Sequence, residues 1–435
     1  MKHLLSRVAA CFLVLLTVIA DTARDVGAAG VVPLSAVPTL LRSCRFETQA
    51  LSLIPVFCPP GYWEGPPVFP ATLMASVSPT RDGPLKRKVE EVPVKKVRLS
   101  DGRDLSYREY GDLDSAEVFN VVYVSGNGGT SAEPQGFSIQ NQDLHGIRVT
   151  AVDVPGIGES TAKSNLTLES WAQDILEFAD LHFGKDSKFF LYGFSAGARY
   201  AQACDEYPPL ESRILGVELN GGLGPVNHLR DLWPYNLRMM LLYSLARLYS
   251  RHSEFQTPIL RLAQILWVDK VTSDEKFPEA YETFIVRGQS SEDQRILHKE
   301  NVRESVMWNL RENLKQGADA WMRYMAALTM SRPRSDIRPR IVIVRHGSED
   351  KTVPFAVGER VARELGVTVT RIEGQGHRFI FEQFTRNVRE LVELYVARTQ
   401  DHLSDGLPSA DMGGVKPGSD SDESGISNQA LRMAA

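Results

Sequence analysis

The chain has 435 residues, 43% hydrophobic and 24% charged. That balance is ordinary for a globular protein, and the length suits one large α/β unit with an insertion, or two domains. A formal net charge of −5 offers no basic excess for nucleic acid, and there is neither a Cys/His cluster with zinc spacing nor a GxxxxGK[ST] loop. No nucleic-acid partner, metal or cofactor is therefore expected.

At the N-terminus, Lys2 and Arg7 precede an apolar run from Val8 to Ala20 that Asp21 closes. The run is short of the roughly 20 residues of a membrane span. It reads as the apolar region of a secretory leader, so residues 1–20 are assigned to a signal peptide or an uncleaved signal anchor. The expected location is then secreted or endomembrane. A competing start is Met74, which opens "MASVSPTRDG"; initiation there removes the leader and makes the protein cytoplasmic. Residues 21–93 read as a Pro-rich, poorly structured segment, since "CPPGYWEGPPVFP" precludes a regular helix. Cys44 and Cys58 flank a short loop and could pair in an oxidising compartment. Cys11 lies in the leader, and Cys204 is expected buried and free. Lys86-Arg87-Lys88 resembles a weak import patch but reads better as a solvated approach to the first strand. Asn165-Leu166-Thr167 is a glycosylation sequon.

From residue 94 the pattern changes. "VKKVRLSDGRDLSYREYGD" alternates into and out of Asp101-Gly102, which predicts a hairpin. "VFNVVYV" (118–124) is almost continuously apolar, as a strand buried on both faces should be. "IRVTAVDV" (147–154) is a second strand candidate. Trp171, Ala172, Ile175, Leu176, Ala179 and Phe183 recur at helical spacing. "KFFLY" (188–192), "ILGVEL" (214–219), "IVIVR" (341–345) and "VTVTRI" (367–372) are further strands. A final helix over 380–398 places Phe384, Val388, Leu391, Val392 and Tyr395 on one face. Strands alternating with helices predict an α/β fold with a mostly parallel sheet. Residues 223–338 break the rhythm with helical patterns only, "LRMMLLYSLARLYS" and "TPILRLAQILW" being the most apolar. They are assigned to a helical cap inserted between core segments 94–222 and 339–400. Core packing explains these apolar helices, with a membrane-facing or lipid-binding surface as the alternative. Residues 401–435, rich in Ser, Gly and Asp, read as a disordered tail.

The chemistry starts at "LYGFSAGARY". A strand runs into Gly193-Phe194-Ser195-Ala196-Gly197 and a helix follows. A strand-to-helix turn this tight strains its central residue and lifts the Ser195 hydroxyl clear of the sheet. A serine hydroxyl is a poor nucleophile at neutral pH. It needs a base, and the base needs an orienting carboxylate. Downstream, Asp350 sits in "HGSEDKTVP" after one strand and His377 in "EGQGH" after the next. All three therefore lie at the sheet edge where open α/β sheets build their sites. Asp350 also suits a helix cap, and neighbouring Glu349 is an alternative acid. A developing oxyanion needs donors, and "VVYVSGNGGT" places Gly126-Asn127-Gly128-Gly129 after a strand. The amides of Asn127 and Ala196 are the candidates.

Together with "DVPGIGES" (153–160), these motifs resemble the α/β-hydrolase superfamily, in the group with a helical cap ahead of the acid loop. The resemblance spans residues 94–398. It implies an α/β-hydrolase fold with helices on both faces of the sheet, a Ser195–Asp350–His377 triad and an oxyanion hole at Asn127 and Ala196. Many relatives carry His where this chain has Ser125. Ser195, where epoxide hydrolases and haloalkane dehalogenases carry Asp, argues against those activities. The expected function is hydrolysis of a carboxylic ester with an apolar acyl chain through an acyl-enzyme, the substrate being a small-molecule or lipid-like ester. The cap or the N-terminal segment would make any membrane-surface contact. The alternatives are an iminopeptidase-like aminopeptidase, for which Glu279, Glu282 and Glu292 are available to a substrate amine, and a non-catalytic ligand-binding protein of the same fold.

Overall fold

The computed structural model describes residues 92–115, 118–137, 144–226, 229–232, 235–329 and 340–405. The expectations for residues 1–20, for the Pro-rich segment up to residue 91, for Cys11, Cys44 and Cys58, and for the tail beyond Asp405 lie outside them; residues 401–405, assigned to the disordered tail, instead continue the last helix.

Eight strands form one sheet: β1 (Lys95–Arg98), β2 (Asp104–Gly111), β3 (Phe119–Val124), β4 (Ile147–Val152), β5 (Phe189–Phe194), β6 (Ile214–Asn220), β7 (Ile341–Gly347) and β8 (Val369–Ile372). Their order is β1-β2-β4-β3-β5-β6-β7-β8. The β1–β2 and β2–β4 pairings are antiparallel, and every pairing from β4 to β8 is parallel. The predicted hairpin is β1–β2, closed by the Gly102 N–H donating to the Leu99 carbonyl. The continuous apolar runs are the central strands: Val121, Val122, Tyr123 and Val124 of β3, and Phe189, Phe190, Leu191 and Tyr192 of β5, are wholly buried.

Helix α1 (Leu168–His182) begins at a reciprocal cap, in which the Thr167 side chain accepts from the Ser170 N–H and the Ser170 hydroxyl accepts from the Thr167 N–H. Its buried face carries Trp171, Ile175, Phe178 and Ala179. Phe178 was not among the predicted contacts, and Leu176 is only half-buried. Helix α2 (Ala196–Glu206) springs directly from β5 and is lined with small residues, so it lies close against the sheet. Cys204 on it is buried and free. Asn165 of the sequon is exposed.

Between β6 and β7 the described residues form helices and no strand: α3 (Leu237–Arg251), α4 (Ser253–Ala263), α5 (Phe277–Tyr281), α6 (Ser291–Leu297), α7 (Glu300–Leu314) and α8 (Gly317–Leu328). Two π-helical turns, Gln264–Val268 and Glu282–Val286, extend α4 and α5. The stretches "LRMMLLYSLARLYS" and "TPILRLAQILW" form α3 and α4 with its π turn. After β7 come α9 (Phe355–Glu364), then β8, a short turn His377–Phe379, and α10 (Ile380–Asp405). Phe384 of α10 packs edge-on against Tyr123 and Tyr192, with centroids 5.5 and 5.1 Å apart, and fixes the helix across the central strands. This is the α/β-hydrolase fold, with a mostly parallel eight-stranded sheet and helices on both of its faces. Among the described residues no helix is long and apolar enough to cross a membrane.

Candidate active site

Ser195 caps the N-terminus of α2 at φ 54°, ψ −119°. It is the one described residue other than glycine with positive φ. Such a conformation costs on the order of 1–3 kcal/mol and persists only where neighbours over-determine it. Here its N–H donates to the Asn220 carbonyl at the end of β6 (2.9 Å), and its own carbonyl accepts from Ala198 and Leu223. The flanking glycines make the turn fit. A Cβ on Gly193 would run into the Ala198 backbone, and one on Gly197 into the carbonyls of Val124 and Ser125.

Three loops at the carboxyl edge of the sheet meet at this turn. The His377 imidazole places Nε2 3.0 Å from Ser195 Oγ and Nδ1 2.6 Å from Asp350 Oδ2. Its ring lies against Phe194, centroids 5.0 Å apart. All three polar residues are buried. Asp350 divides its two oxygens. Oδ2 faces His377, while Oδ1 accepts from the Thr352 and Val353 amides, both at 2.8 Å. The cap-like role and the contact with His377 thus coexist in one side chain. Glu349 is exposed and takes part only through its backbone, donating to Gln375. Burial would push the Asp350 carboxyl up. The imidazoles of His377 and His346 outweigh it and hold the group well below the usual carboxylate range. His346, whose Nε2 lies 3.3 Å from Asp350 Oδ2 and 2.7 Å from the Val353 carbonyl, is a neighbour that the sequence reading missed.

The glycine loop after β3 abuts the serine, for a Cβ on Gly126 would sit 2.9 Å from the Ser195 Cβ. Asn127 and Ser195 line one cavity, and Ala196 opens α2, where the first amides have no intrahelical acceptor. Ser125 is buried. The loop is held instead by Glu133, which accepts from the Tyr123 hydroxyl (2.5 Å) and the Gly126 amide (3.3 Å). Burial raises the Glu133 pKa against these donors. From the inserted helices, Asn309 Oδ1 accepts the Thr130 amide and hydroxyl, the Asn313 amide donates to the Gly129 carbonyl, and Trp321 Nε1 donates to Asn127 Oδ1.

Asp293, on α6, is another residue the sequence reading missed. Wholly buried, it accepts the His377 N–H at Oδ2 (2.8 Å) and the Arg378 N–H at Oδ1 (2.6 Å). The preceding Gly376 permits this, since a Cβ there would collide with Ser290 and Asp293. No signal in the sequence separates it from the adjacent Glu292, which points outward to Arg295.

The cavity above Ser195 has a volume of about 320 Å³. Its walls are mostly apolar, with Leu241, Leu245, Ile259, Leu262 and Leu266 from α3, α4 and the first π turn. Among the described residues no Asp or Glu lines it. Glu279 and Glu282 are exposed, and Glu292 is paired with Arg295, so none of the three carboxylates considered for a substrate amine reaches the cavity.

The comparison with curated proteins yields no match. Similar solved structures include an esterase from Exiguobacterium antarcticum, 20% identical over 69% of this chain and 98% of that one, with a TM-score of 0.49. A hydrolase from Pseudomonas aeruginosa PA01 is 18% identical over 70% and 98%, TM-score 0.49. An enol-lactonase from Burkholderia xenovorans LB400 is 16% identical over 69% and 100%, TM-score 0.47. The family model described as "Alpha/beta hydrolase family" matches residues 121–394, more than half of the sequence. The chain belongs to the alpha/beta hydrolase family.

Proposed function

We propose that the protein is a serine esterase that cleaves carboxylic esters with apolar acyl chains. The observation that carries this reading is the unbroken chain from Asp350 through His377 to a strained Ser195 at the foot of an apolar cavity. His377 Nε2 takes the Ser195 proton as Oγ attacks the carbonyl carbon. Asp350 fixes the tautomer with the other proton on Nδ1 and stabilises the imidazolium. The amides of Asn127 and Ala196 hold the oxyanion, with the N-terminus of α2 favouring negative charge there. Collapse of the tetrahedral intermediate expels the alcohol, which takes the proton from His377. Water activated by His377 then releases the acid. The helices between β6 and β7 act as a cap that shields this chemistry. An amine-recognising peptidase is less well supported, because among the described residues no carboxylate lines the cavity to receive a substrate ammonium group.

The test is a fluorophosphonate probe on the wild type and Ser195→Ala, followed by p-nitrophenyl esters of increasing chain length. Labelling of the wild type alone, with kcat/KM rising from acetate towards octanoate, is expected. A folded wild type that neither labels nor turns over any ester refutes the reading and favours a ligand-binding protein.

A further inference from the structure

The cavity is apolar but not neutral. Two arginines, Arg238 and Arg378, line it together with Ser195 and His377, and among the described residues no carboxylate does. Some arginines of the inserted helices have acidic partners: Arg295 with Glu292 and Glu382, Arg311 with Asp274, Arg323 with Asp319; Arg303 instead lies over the Tyr281 ring. Among the described residues Arg238 and Arg378 have no acidic partner. Arg378 follows His377 directly and lies 5.8 Å over the Phe381 ring, within range of the field of Glu133. Arg238 has no such compensation.

Arg238 stands in the first turn of α3. Its guanidinium lies 4.9 Å from the Phe284 ring and 6.0 Å from that of Trp267. These rings belong to the two π-helical turns and meet edge-on, centroids 5.6 Å apart. Nη1 donates to the Phe284 carbonyl, which leaves most of the five guanidinium N–H groups unused. The side chain is exposed to solvent, and the helices beside it still push its pKa down to about 10 by desolvation. It stays a cation at neutral pH. A cation held this way, its fork propped on aromatic rings, is built to receive a carboxylate or phosphate oxyanion. Leu241, Leu242 and Leu245, on the same helix, line the cavity too.

Building on the serine-esterase reading, we propose that Arg238 binds an anionic group on the substrate, so that the preferred esters have an apolar acyl chain ending in a carboxylate or phosphate. The chain fills the leucine-lined wall, the ester carbonyl sits at Ser195, and the distal anion meets Arg238. A neutral chain of the same length leaves the guanidinium unsatisfied.

The test compares p-nitrophenyl octanoate with the mono-p-nitrophenyl ester of octanedioate and with the corresponding phosphonate-ended ester. A charge-assisted hydrogen bond in a partly dry site predicts a kcat/KM ratio, anionic over neutral, of about ten or more in the wild type at low salt. The larger of the two anionic ratios identifies carboxylate or phosphate as the preferred group. Arg238→Gln should bring both ratios to about one, and Arg238→Lys should keep part of the preference. Isothermal calorimetry with decanoate and decanol reads the same site without turnover. Decanoate should bind about ten-fold more tightly, and that advantage should disappear in Arg238→Gln. Wild-type ratios at or below one overturn the anion site while leaving the esterase reading intact, as does a preference that survives in Arg238→Gln. Absence of all ester turnover refutes the esterase reading, and the calorimetric difference then decides the anion site alone.

Discussion

Asp293 offers a sharp test of how the site is held, because it hydrogen-bonds to neither the Ser195 hydroxyl nor the His377 ring and yet fixes the His377 backbone. Its carboxylate accepts the His377 and Arg378 amides at 2.8 and 2.6 Å, and its own amide donates to Ser290 Oγ at 3.1 Å. Asp293→Ala strands two N–H groups next to the imidazole, one of them on buried His377. Each stranded donor costs about 1–3 kcal/mol, so a stability loss of roughly 2–6 kcal/mol is expected. Asp293→Asn keeps one acceptor oxygen and turns an amide group towards the other N–H, which halves the loss. The larger consequence is positional. The turn His377–Phe379 sets the imidazole 3.0 Å from Ser195 Oγ, and a displacement on the order of 1 Å costs about 10² in rate. Urea unfolding gives the stability change. The second-order rate constant for fluorophosphonate labelling, measured where each variant is fully folded, gives the alignment of Ser195 and His377. We expect labelling by Asp293→Asn to fall at least ten-fold while KM for a neutral ester changes little. A folded Asp293→Asn that labels at the wild-type rate refutes the positioning role.

Asp350→Asn should leave the fold intact, since an amide oxygen can still accept from Thr352 and Val353, but lower kcat by roughly 10³–10⁴ through loss of the imidazolium's counter-charge and of the correct tautomer; near-normal turnover would remove Asp350 from the triad. A separate prediction concerns acid stability. Glu109 on β2 is held down to about 2 chiefly by its hydrogen bond to His182, with Lys95 adding to it. A carboxyl that is more acidic folded than unfolded stabilises the protein above about 4.5, and that contribution is lost as pH falls from there towards 2. Lys95 is half exposed, so solvent screening leaves the contribution at roughly 1–2 kcal/mol. Urea midpoints of Glu109→Gln should therefore be lower than wild type at pH 7 and converge with it at the acid end. Parallel curves for the two proteins across this range would contradict the assignment.

Ser195, Asp350 and His377 were legible in the sequence because each carries a local signature and each follows its own apolar strand. The signatures encode backbone geometry: Gly193 and Gly197 clear the path for a helix packed on the sheet, and "GQGH" supplies the one residue, Gly376, that lets α6 approach His377. The sequence kept Glu349 as an alternative beside the preferred Asp350, since two adjacent acids in a loop differ only in which way the turn presents them. Phe178, three residues after Ile175 and seven after Trp171, falls on the same helical face and was overlooked; its ring packs edge-on against Tyr107 and Phe183. Asp293 and Arg238 were invisible for a stronger reason. Their roles depend on docking helices against loops far away in the chain, and helical spacing alone cannot distinguish Asp293, turned inward, from Glu292, turned out.

The contacts of the inserted helices bear on what Ser125 implies. With serine where many relatives carry histidine, the glycine loop is fastened from two sides: by Glu133 beneath, and by Asn309, Asn313 and Trp321 of α7 and α8 above. The same insertion holds His377 through Asp293 and reaches Thr352 through Gln289 (2.9 Å). All three loops that meet at Ser195 thus depend on helices that follow β6. An insertion so attached cannot swing away as a rigid lid without loosening the glycine loop after β3 and the His377 imidazole together. Helix α4 and its π turn are different. They supply Ile259, Leu262 and Leu266 to the cavity wall but none of the hydrogen bonds to those loops, and Ile265 is exposed. On the serine-esterase reading, entry of a long acyl chain is therefore least costly by local displacement of α4, which yields apolar contacts that the substrate replaces and leaves the polar frame around Ser195 in register.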